Sequence, residues 1–405
     1  MLAICGGGNA GHALAVVASQ NFDGDVRWLV GSGERAELLR AGAVGGGLHS
    51  TGVITARAEG LKAISSDPAD VIPGADVVLL VVPAYAHAPV LESIAPYLED
   101  DALVGCLPAR GGFEFDAPKF ISGIAPNGGR RLFGLQTLPW STRVVEAGRV
   151  VNFGALKAEV LMATMPRSLA PELAPELTRL LGTEIVPTDG FLNMTLGNPG
   201  QFIHPGLMYG LFRDWAGEEY DQESVPFFYA HTTEDVGEVV RLLSAEANAV
   251  AQEIAAGSEK EMDLTGVLPV HEWLMRSYPT QTADTATVAS CFRSGPLQHR
   301  RAPMRETSSG FVPNFTYRYL SEDVPFGLVV TRAIAQLANV PTPTTDAVIL
   351  WTQRHTDQVY LVDGKLTGPA TKGLPIPQNH GIETLAELID WYDDDARPVG
   401  FARNR

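Results

Sequence analysis

Cysteine is scarce in this chain: Cys5, Cys106 and Cys291 are the only three among 405 residues, and no two stand in a Cys-x-x-Cys pair. An odd, scattered set of this kind points to reduced structural thiols rather than a disulfide framework. Long apolar runs are missing as well. None approaches the ~20 residues that span a bilayer, and Met1 leads straight into an apolar strand with no cationic leader, so a cytoplasmic protein is expected. Positive charge is in deficit: 30 Lys and Arg against 47 Asp and Glu give a formal net charge of −17. Nucleic acid and anionic lipid are held largely through such cations, so neither is an expected partner and a small molecule is. The nine histidines form no His-x-x-x-His or comparable pair, and no metal site is expected. Apolar residues make up 45% and charged residues 19%, over a length that suits two globular domains.

The most informative stretch is Leu2-Ala-Ile-Cys-Gly6-Gly-Gly8-Asn9-Ala10-Gly11-His12, an apolar strand running into Gly-x-Gly-x-x-Gly. This is the sequence form of a dinucleotide-binding turn. Gly6 allows the tight turn, Gly8 lets backbone approach a pyrophosphate, and Gly11 lets the following helix pack close. That helix offers unpaired N–H groups and its positive dipole end to the phosphates, with Asn9 and Ala10 in its first turn. In this fold an acid closing the second strand signals NAD. Here the strand ends Val30-Gly31-Ser32-Gly33-Glu34-Arg35, so Ser32 stands near the acid's place and Arg35 can meet a 2′-phosphate. NADP is favoured, and Glu34 keeps NAD open.

The first half alternates strand and helix patterns: strand 2–5, helix 10–20, strand 26–30, helix 33–41, a glycine turn at 45–47, then strands at 51–56, 76–82 and 102–106 with a helix at 86–98. Extra strands at 132–140 and 150–153 complete the domain. This order implies a mostly parallel sheet with right-handed crossovers. The run Asp76 to Val82 closed by Pro83 reads as a strand buried on both faces, its carboxyl end beside the nucleotide. The nucleotide domain is expected over 1–188 and a helical domain over 189–405. In the latter, Val236, Val240, Leu243, Ala247, Val250 and Ile254 form one apolar helix stripe, and Thr232 with Asp235 resembles a capping box. A second helix follows Pro325 and a third follows Thr344-Thr-Asp346. The 278–314 stretch, with Arg293, His299, Arg300, Arg301 and Arg305, reads either as a basic lid over an anionic substrate or as a solvated loop. Trp215, Tyr229, Trp273 and Tyr278 are candidates for shaping a specificity pocket.

Two polar constellations stand in this half. In Phe202-Ile-His204-Pro205, the proline suits a first helical position and sets His204 at or just before the helix start. In Arg318-Tyr319-Leu-Ser-Glu322-Asp323-Val-Pro325, Asp323 reads as a partner for that histidine or as a helix N-cap, and Arg318 as a pocket cation or a partner of Glu322.

The chain resembles the opine dehydrogenase family, the octopine and nopaline dehydrogenases and their bacterial relatives. The resemblance rests on Gly6-Gly-Gly-Asn-Ala-Gly-His12, Leu138-Pro-Trp140-Ser-Thr142-Arg143, Phe202-Ile-His204-Pro205 with Tyr209, and Arg318 to Gly327. It implies an α/β N-terminal Rossmann-type domain followed by an all-α C-terminal domain, with the active site between them. It also implies NAD(P)H-dependent coupling of an amino acid to a 2-oxo acid such as pyruvate through an imine. By resemblance His204 and Asp323 are the catalytic dyad, Arg318 binds substrate carboxylate, and Thr142 and Tyr209 lie at the substrate. Ser141-Thr142 departs from the family's Ala-Cys and leaves the oxo acid open. A hydroxy-acid dehydrogenase of 6-phosphogluconate-dehydrogenase-like build is the competing enzyme class. It uses a lysine at the start of its second domain, where this chain has none between Lys157 and Lys260. A non-catalytic nucleotide sensor is the third class, and a homodimer is compatible with all three.

Overall fold

A computed structural model describes residues 1–44, 47–121, 130–258 and 262–392, so Gly45 and Gly46 of the glycine turn lie outside the described residues. The chain forms two compact units. Among the described residues, the first comprises Met1–Ala109, Phe113–Met194 and 390–392, and the second comprises Arg110–Gly112 and Thr195–Ile389.

The first unit is built on eight strands: β1 Leu2–Cys5, β2 Val26–Leu29, β3 Leu61–Ser65, β4 Val77–Leu80, β5 Leu103–Cys106, β6 Arg131–Leu135, β7 Glu159–Met165 and β8 Glu184–Pro187. Their order across the sheet is β8-β7-β6-β5-β4-β1-β2-β3, parallel except where β7 runs against β6. The six strands from the β3 edge to β6 repeat the doubly wound 3-2-1-4-5-6 order, whose reversal beside β1 is the usual nucleotide crevice. β1 is buried at every position, as a strand covered on both faces must be. The third strand of this pattern is Leu61–Ser65, not the expected 51–56. His49–Gly52 instead joins Trp140–Glu146 and Val150–Leu156 in a separate three-stranded sheet. Leu61–Ser65 is an edge strand with one fully buried residue, so it carries too weak an apolar run to be recognised. The amphipathic helix Ala170–Leu181, with Leu173, Leu177, Leu180 and Leu181 buried, and the strands flanking it were not anticipated.

The second unit is helical apart from one short hairpin, Met304–Glu306 with Phe311–Pro313. Its long helix, Glu234–Gly257, buries the expected stripe, but its N-cap is Thr233, whose hydroxyl accepts from Val236 N. The helix Gly200–Phe212 packs against it. A Cβ on Gly206 would come within 2.9 Å of Val240, and one on Gly210 within 2.5 Å of Val236. The 278–314 stretch is more ordered than a loop, containing the helix Val288–Ser294 with a Thr287/Ser290 capping box.

Candidate active site

The glycine turn builds an anion cradle from its own neighbours. Gly6 has φ +134, and a Cβ there would meet Val81 O at 2.6 Å. At Gly11 a Cβ would lie 1.8 Å from Gly6 O, so only glycine lets the helix Asn9–Asn21 start this close to the strand. Around Gly8 an added Cβ meets nothing within 4 Å, which is the open approach a pyrophosphate needs. The turn's carbonyls are held by side chains. Gly6 O accepts from Trp28 Nε1, Gly7 O from Arg35 Nη2 and Gly8 O from His12 Nδ1, each at 2.8 Å. With these oxygens committed, the first-turn N–H groups are what remains for a phosphate.

His12 is fully buried, its Nε2 accepts from Gly148 N at 2.9 Å, and burial holds its pKa down at about 4. It is therefore the neutral tautomer with the proton on Nδ1. The remaining nucleotide candidates take simpler places. Asn9 accepts from Val144 N through Oδ1, tying the helix start to the three-stranded sheet. Ser32 Oγ accepts from Arg35 N at the start of the helix Gly33–Val44, Ala10 is half-buried beside Asn9, and Pro83 follows β4 at the start of the turn Ala84–Ala86. Sequence reasoning missed the lock formed by Trp28 and His12, although the His in Gly-Gly-Gly-Asn-Ala-Gly-His was in view.

In the second unit His204 and Asp323, 119 residues apart, meet. Asp323 Oδ2 accepts from His204 Nδ1 at 2.9 Å. The expected placement of His204 needs correcting. The helix runs Gly200–Phe212 with Pro199 as its cap, so His204 and Pro205 lie inside it rather than at its start. The proline is tolerated at the loss of one i→i−4 bond. With His204 beyond the first turn, the helix dipole is not what tunes it. Burial is the leading cause that lowers its pKa, opposed by Asp323 and reinforced by Arg110 and Arg318. The ring stacks on Tyr319, centroids 4.0 Å apart and 12° from parallel, and its side chain keeps 21% exposure. Nδ1 is thus fixed as the donor to a carboxylate, and Nε2 is the position that can take and return a proton.

Asp323 sits at the N-cap of a π-turn, Val324–Leu328, yet its side chain makes no cap bond. Leu328 N reaches back to Asp323 O at 3.1 Å, and a Cβ on Gly327 would come within 2.6 Å of Gln201 Cβ. That close contact with the Gly200–Phe212 helix brings the carboxylate to the imidazole. Burial alone would raise the Asp323 pKa, but Arg110, His204 and Arg318 together hold it below the ordinary value.

Arg318 Nη2 pairs with Glu322 Oε2 at 2.8 Å. The arginine side chain is 45% exposed and the glutamate 1%, so this is a cation anchored on a buried carboxylate rather than a loose surface pair. The residue that sequence reasoning missed is Arg110. Its Nη1 lies 2.6 Å from Asp323 Oδ1, its Nε 3.4 Å from Glu322 Oε1, and Nη1 also donates to Asn198 Oδ1 at 2.8 Å. Tyr209 is not brought to the dyad. Five residues on from His204 it points about 140° around the helix, edge-on to the Trp351 ring and under Arg213. Thr142 is half-buried in Trp140–Glu146 of the first unit, paired with Phe153. Of the basic stretch, Arg293 bonds Thr232 O and Glu234, Arg301 lies over the Phe227 ring, and Arg300 reaches the Tyr319 hydroxyl at 3.4 Å. Of the aromatic candidates, Tyr229, Trp273 and Tyr278 are buried, and Trp215 Nε1 bonds Glu218 O. Among the described residues no group of three or more His, Cys, Asp or Glu is arranged to hold a metal, and no helix is long and apolar enough to cross a membrane.

Residues 187–356 match the family model for the NAD/NADP octopine/nopaline dehydrogenase alpha-helical domain. Opine dehydrogenase of Haliotis discus hannai is 32% identical over 405 residues, covering 96% of this chain and 98% of the relative. The chain belongs to the opine dehydrogenase family. A solved structure of octopine dehydrogenase in complex with NADH and agmatine superposes with a TM-score of 0.83 at 28% identity, covering 96% of this chain and 97% of that one. The same enzyme solved with NADH and pyruvate gives 0.81 at 28% identity over the same shares. This family member is an NAD(P)-dependent oxidoreductase of the CH–NH class.

Proposed function

We propose that the enzyme catalyses NAD(P)H-dependent reductive condensation of an amino acid with a 2-oxo acid of the pyruvate type, giving an opine, and the reverse oxidation. The observation that carries the residue assignment is the 2.9 Å His204–Asp323 hydrogen bond, formed by a carboxylate that forgoes the capping role its position offers. Imine formation needs the amino group to lose a proton and the carbonyl oxygen to gain protons and leave as water. A neutral imidazole with Nδ1 fixed by Asp323 takes the first proton at Nε2 and returns it to the departing oxygen. Positioned acid–base catalysis of this kind contributes about 10²–10⁴-fold. Arg318, steadied by Glu322, offers a planar fork to a substrate carboxylate. The nicotinamide, when bound, supplies the hydride that reduces the imine. NADP is the favoured nucleotide. Strand β2 is followed by Gly31 and Ser32 with no acid in the ribose position, and the Arg35 guanidinium already lies on the Gly7 carbonyl. The reaction is assigned to the cytoplasm, where three buried cysteines in no disulfide stay reduced.

The test follows nucleotide oxidation with amino acids and pyruvate, separately and mixed. Turnover that requires both partners, and higher kcat/KM with NADPH than with NADH, is expected. Turnover with an oxo acid alone would mean a hydroxy-acid dehydrogenase, and a preference for NADH would reverse the nucleotide assignment. His204→Ala is expected to lose about 10²-fold or more in kcat with nucleotide affinity unchanged. Full activity in that variant removes the histidine from the mechanism.

A further inference from the structure

Ala109-Arg110-Gly111-Gly112 attracts no attention in the sequence, yet Arg110–Gly112 is the one early segment that belongs to the second unit. We propose that Arg110 is the positioning residue of the dyad: its guanidinium clamps Asp323 in register with the His204 ring and balances the carboxylates there, so that the imidazole works from its uncharged form. The inference rests on the reading of His204 as the acid–base group.

The segment is built to deliver this one side chain. A Cβ on Gly111 would come within 2.9 Å of Phe326 O, next to the π-turn that carries Asp323. Gly112 has φ +80, its Cβ would lie 2.0 Å from Pro375 O, and its N–H donates to Thr195 Oγ1. On the facing side a Cβ on Gly200 would lie 2.4 Å from Arg110 Nη1 and 3.0 Å from Asp323 Oδ1. Asn198 Oδ1 accepts from both Arg110 Nη1 and Gly200 N, joining the arginine to the start of the helix that bears His204. Three glycines and an asparagine thus make room for the guanidinium of an arginine that is 8% exposed.

The charged and titratable groups around His204 are Asp323 and Glu322, Arg110 and Arg318, the Tyr319 hydroxyl on the stacked ring, and Tyr229 and Arg300 behind it. Asp323 pairs directly with Arg110 and Glu322 with Arg318, so these two contacting ion pairs balance while the imidazole is neutral, and Arg300 engages the Tyr319 hydroxyl instead. Without Arg110 the buried Asp323 carboxylate loses its contacting guanidinium, and the group already hydrogen-bonded to it that can take up a compensating proton is His204. A lysine restores the charge but not the fork that spans Asp323, Glu322 and Asn198 at once.

The experiment titrates His204 by imidazole NMR in the full chain, the signal assigned by its loss in His204→Gln, for wild type, Arg110→Gln, Arg110→Lys and Glu322→Gln. Arg110→Gln is expected to raise the His204 midpoint by about one pH unit, tenfold in proton affinity. Arg110→Lys should return it most of the way, and Glu322→Gln should lower it. In kinetics Arg110→Gln should lower kcat at least tenfold and move the pH profile upward in step, with the KM for nucleotide unchanged. A midpoint that stays put in both Arg110→Gln and Glu322→Gln overturns the proposal, and if Arg110→Gln does not fold, the absence of a downward shift in Glu322→Gln does so alone. Because the titration needs no substrate, it reads out independently of whether amino acid and oxo acid are the true reactants.

Discussion

Alanine at Gly8 and alanine at Gly11 add the same methyl group to opposite sides of one turn. Gly8 has φ −88 and ψ −161, an extended conformation open to any residue, and nothing within 4 Å of its would-be Cβ. Gly8→Ala should therefore fold as well as wild type, with a gain of up to about 1 kcal/mol from the stiffer unfolded chain. If Gly8 takes the pyrophosphate role proposed for it, the added methyl group obstructs that approach and nucleotide affinity should fall at least tenfold. Gly11→Ala drives a methyl group into the Gly6 carbonyl, 1.8 Å away, and no flexible side chain is there to yield. It should cost several kcal/mol in stability, as a strained core does, and leave little folded protein. Denaturant midpoints and nucleotide binding on both variants separate the two effects. Equal loss of stability at both positions would mean that Gly8 is a folding glycine too. The residue scale also explains why the dyad was readable and its support was not. His204 and Asp323 are chemically distinctive and stand one and two residues ahead of a proline, whereas Arg110 stands in a stretch with no periodicity, 88 residues ahead of the asparagine it bonds.

For whole elements, the strands of the doubly wound sheet were legible wherever burial on both faces makes an unbroken apolar run, as at Leu2–Cys5 and Val77–Leu80. Leu61–Ser65 and the three-stranded sheet were not. An edge strand needs no such run, and which sheet a strand joins is decided by partners distant in sequence. Helix starts show the same limit. Pro205 suggested the first turn of its helix, but the five residues before it, Gly200 to His204, are already helical because Asn198 Oδ1 takes up Gly200 N at their head. Thr232 and Thr233 are adjacent, and only the structure distinguishes them. Thr233 caps the long helix, while the Thr232 hydroxyl is buried with no hydrogen-bond partner. Thr233→Ala should cost about 1 kcal/mol in chemical denaturation. Thr232→Val exchanges an unsatisfied hydroxyl for a methyl group and should be neutral or stabilising by up to about 1 kcal/mol. The opposite ranking would return the cap to Thr232.

Over the whole molecule, stability against pH is shaped by buried groups that resist charge. His12 titrates at about 4 in the fold and at about 6.5 in an unfolded chain. Between those values the unfolded state binds the extra proton, so stability is complete above pH 6.5 and drains away as pH falls toward 4. The full span is about 3 kcal/mol, of which roughly 2 is lost by pH 5. The lowered pKa of His204 acts in the same direction. On the alkaline side burial raises Cys5 to about 12. The native state then keeps a proton that the unfolded thiol releases near 8.5, so stability declines as pH rises beyond that value. Lys157, lowered to about 7 by burial, opposes this decline, because its unfolded form holds a proton that the native form has lost. The net charge of −17 also relaxes on acidification, so the His12 contribution is best isolated by a variant. His12→Asn keeps a donor for Gly8 O but leaves Gly148 N without its acceptor and should be less stable than wild type at pH 7.5. Since asparagine does not titrate, urea midpoints should bring the two proteins closer together by about 2 kcal/mol at pH 5. An unchanged gap at both pH values would mean that His12 is protonated in the fold, and then it could not accept from Gly148 while holding the phosphate turn in shape.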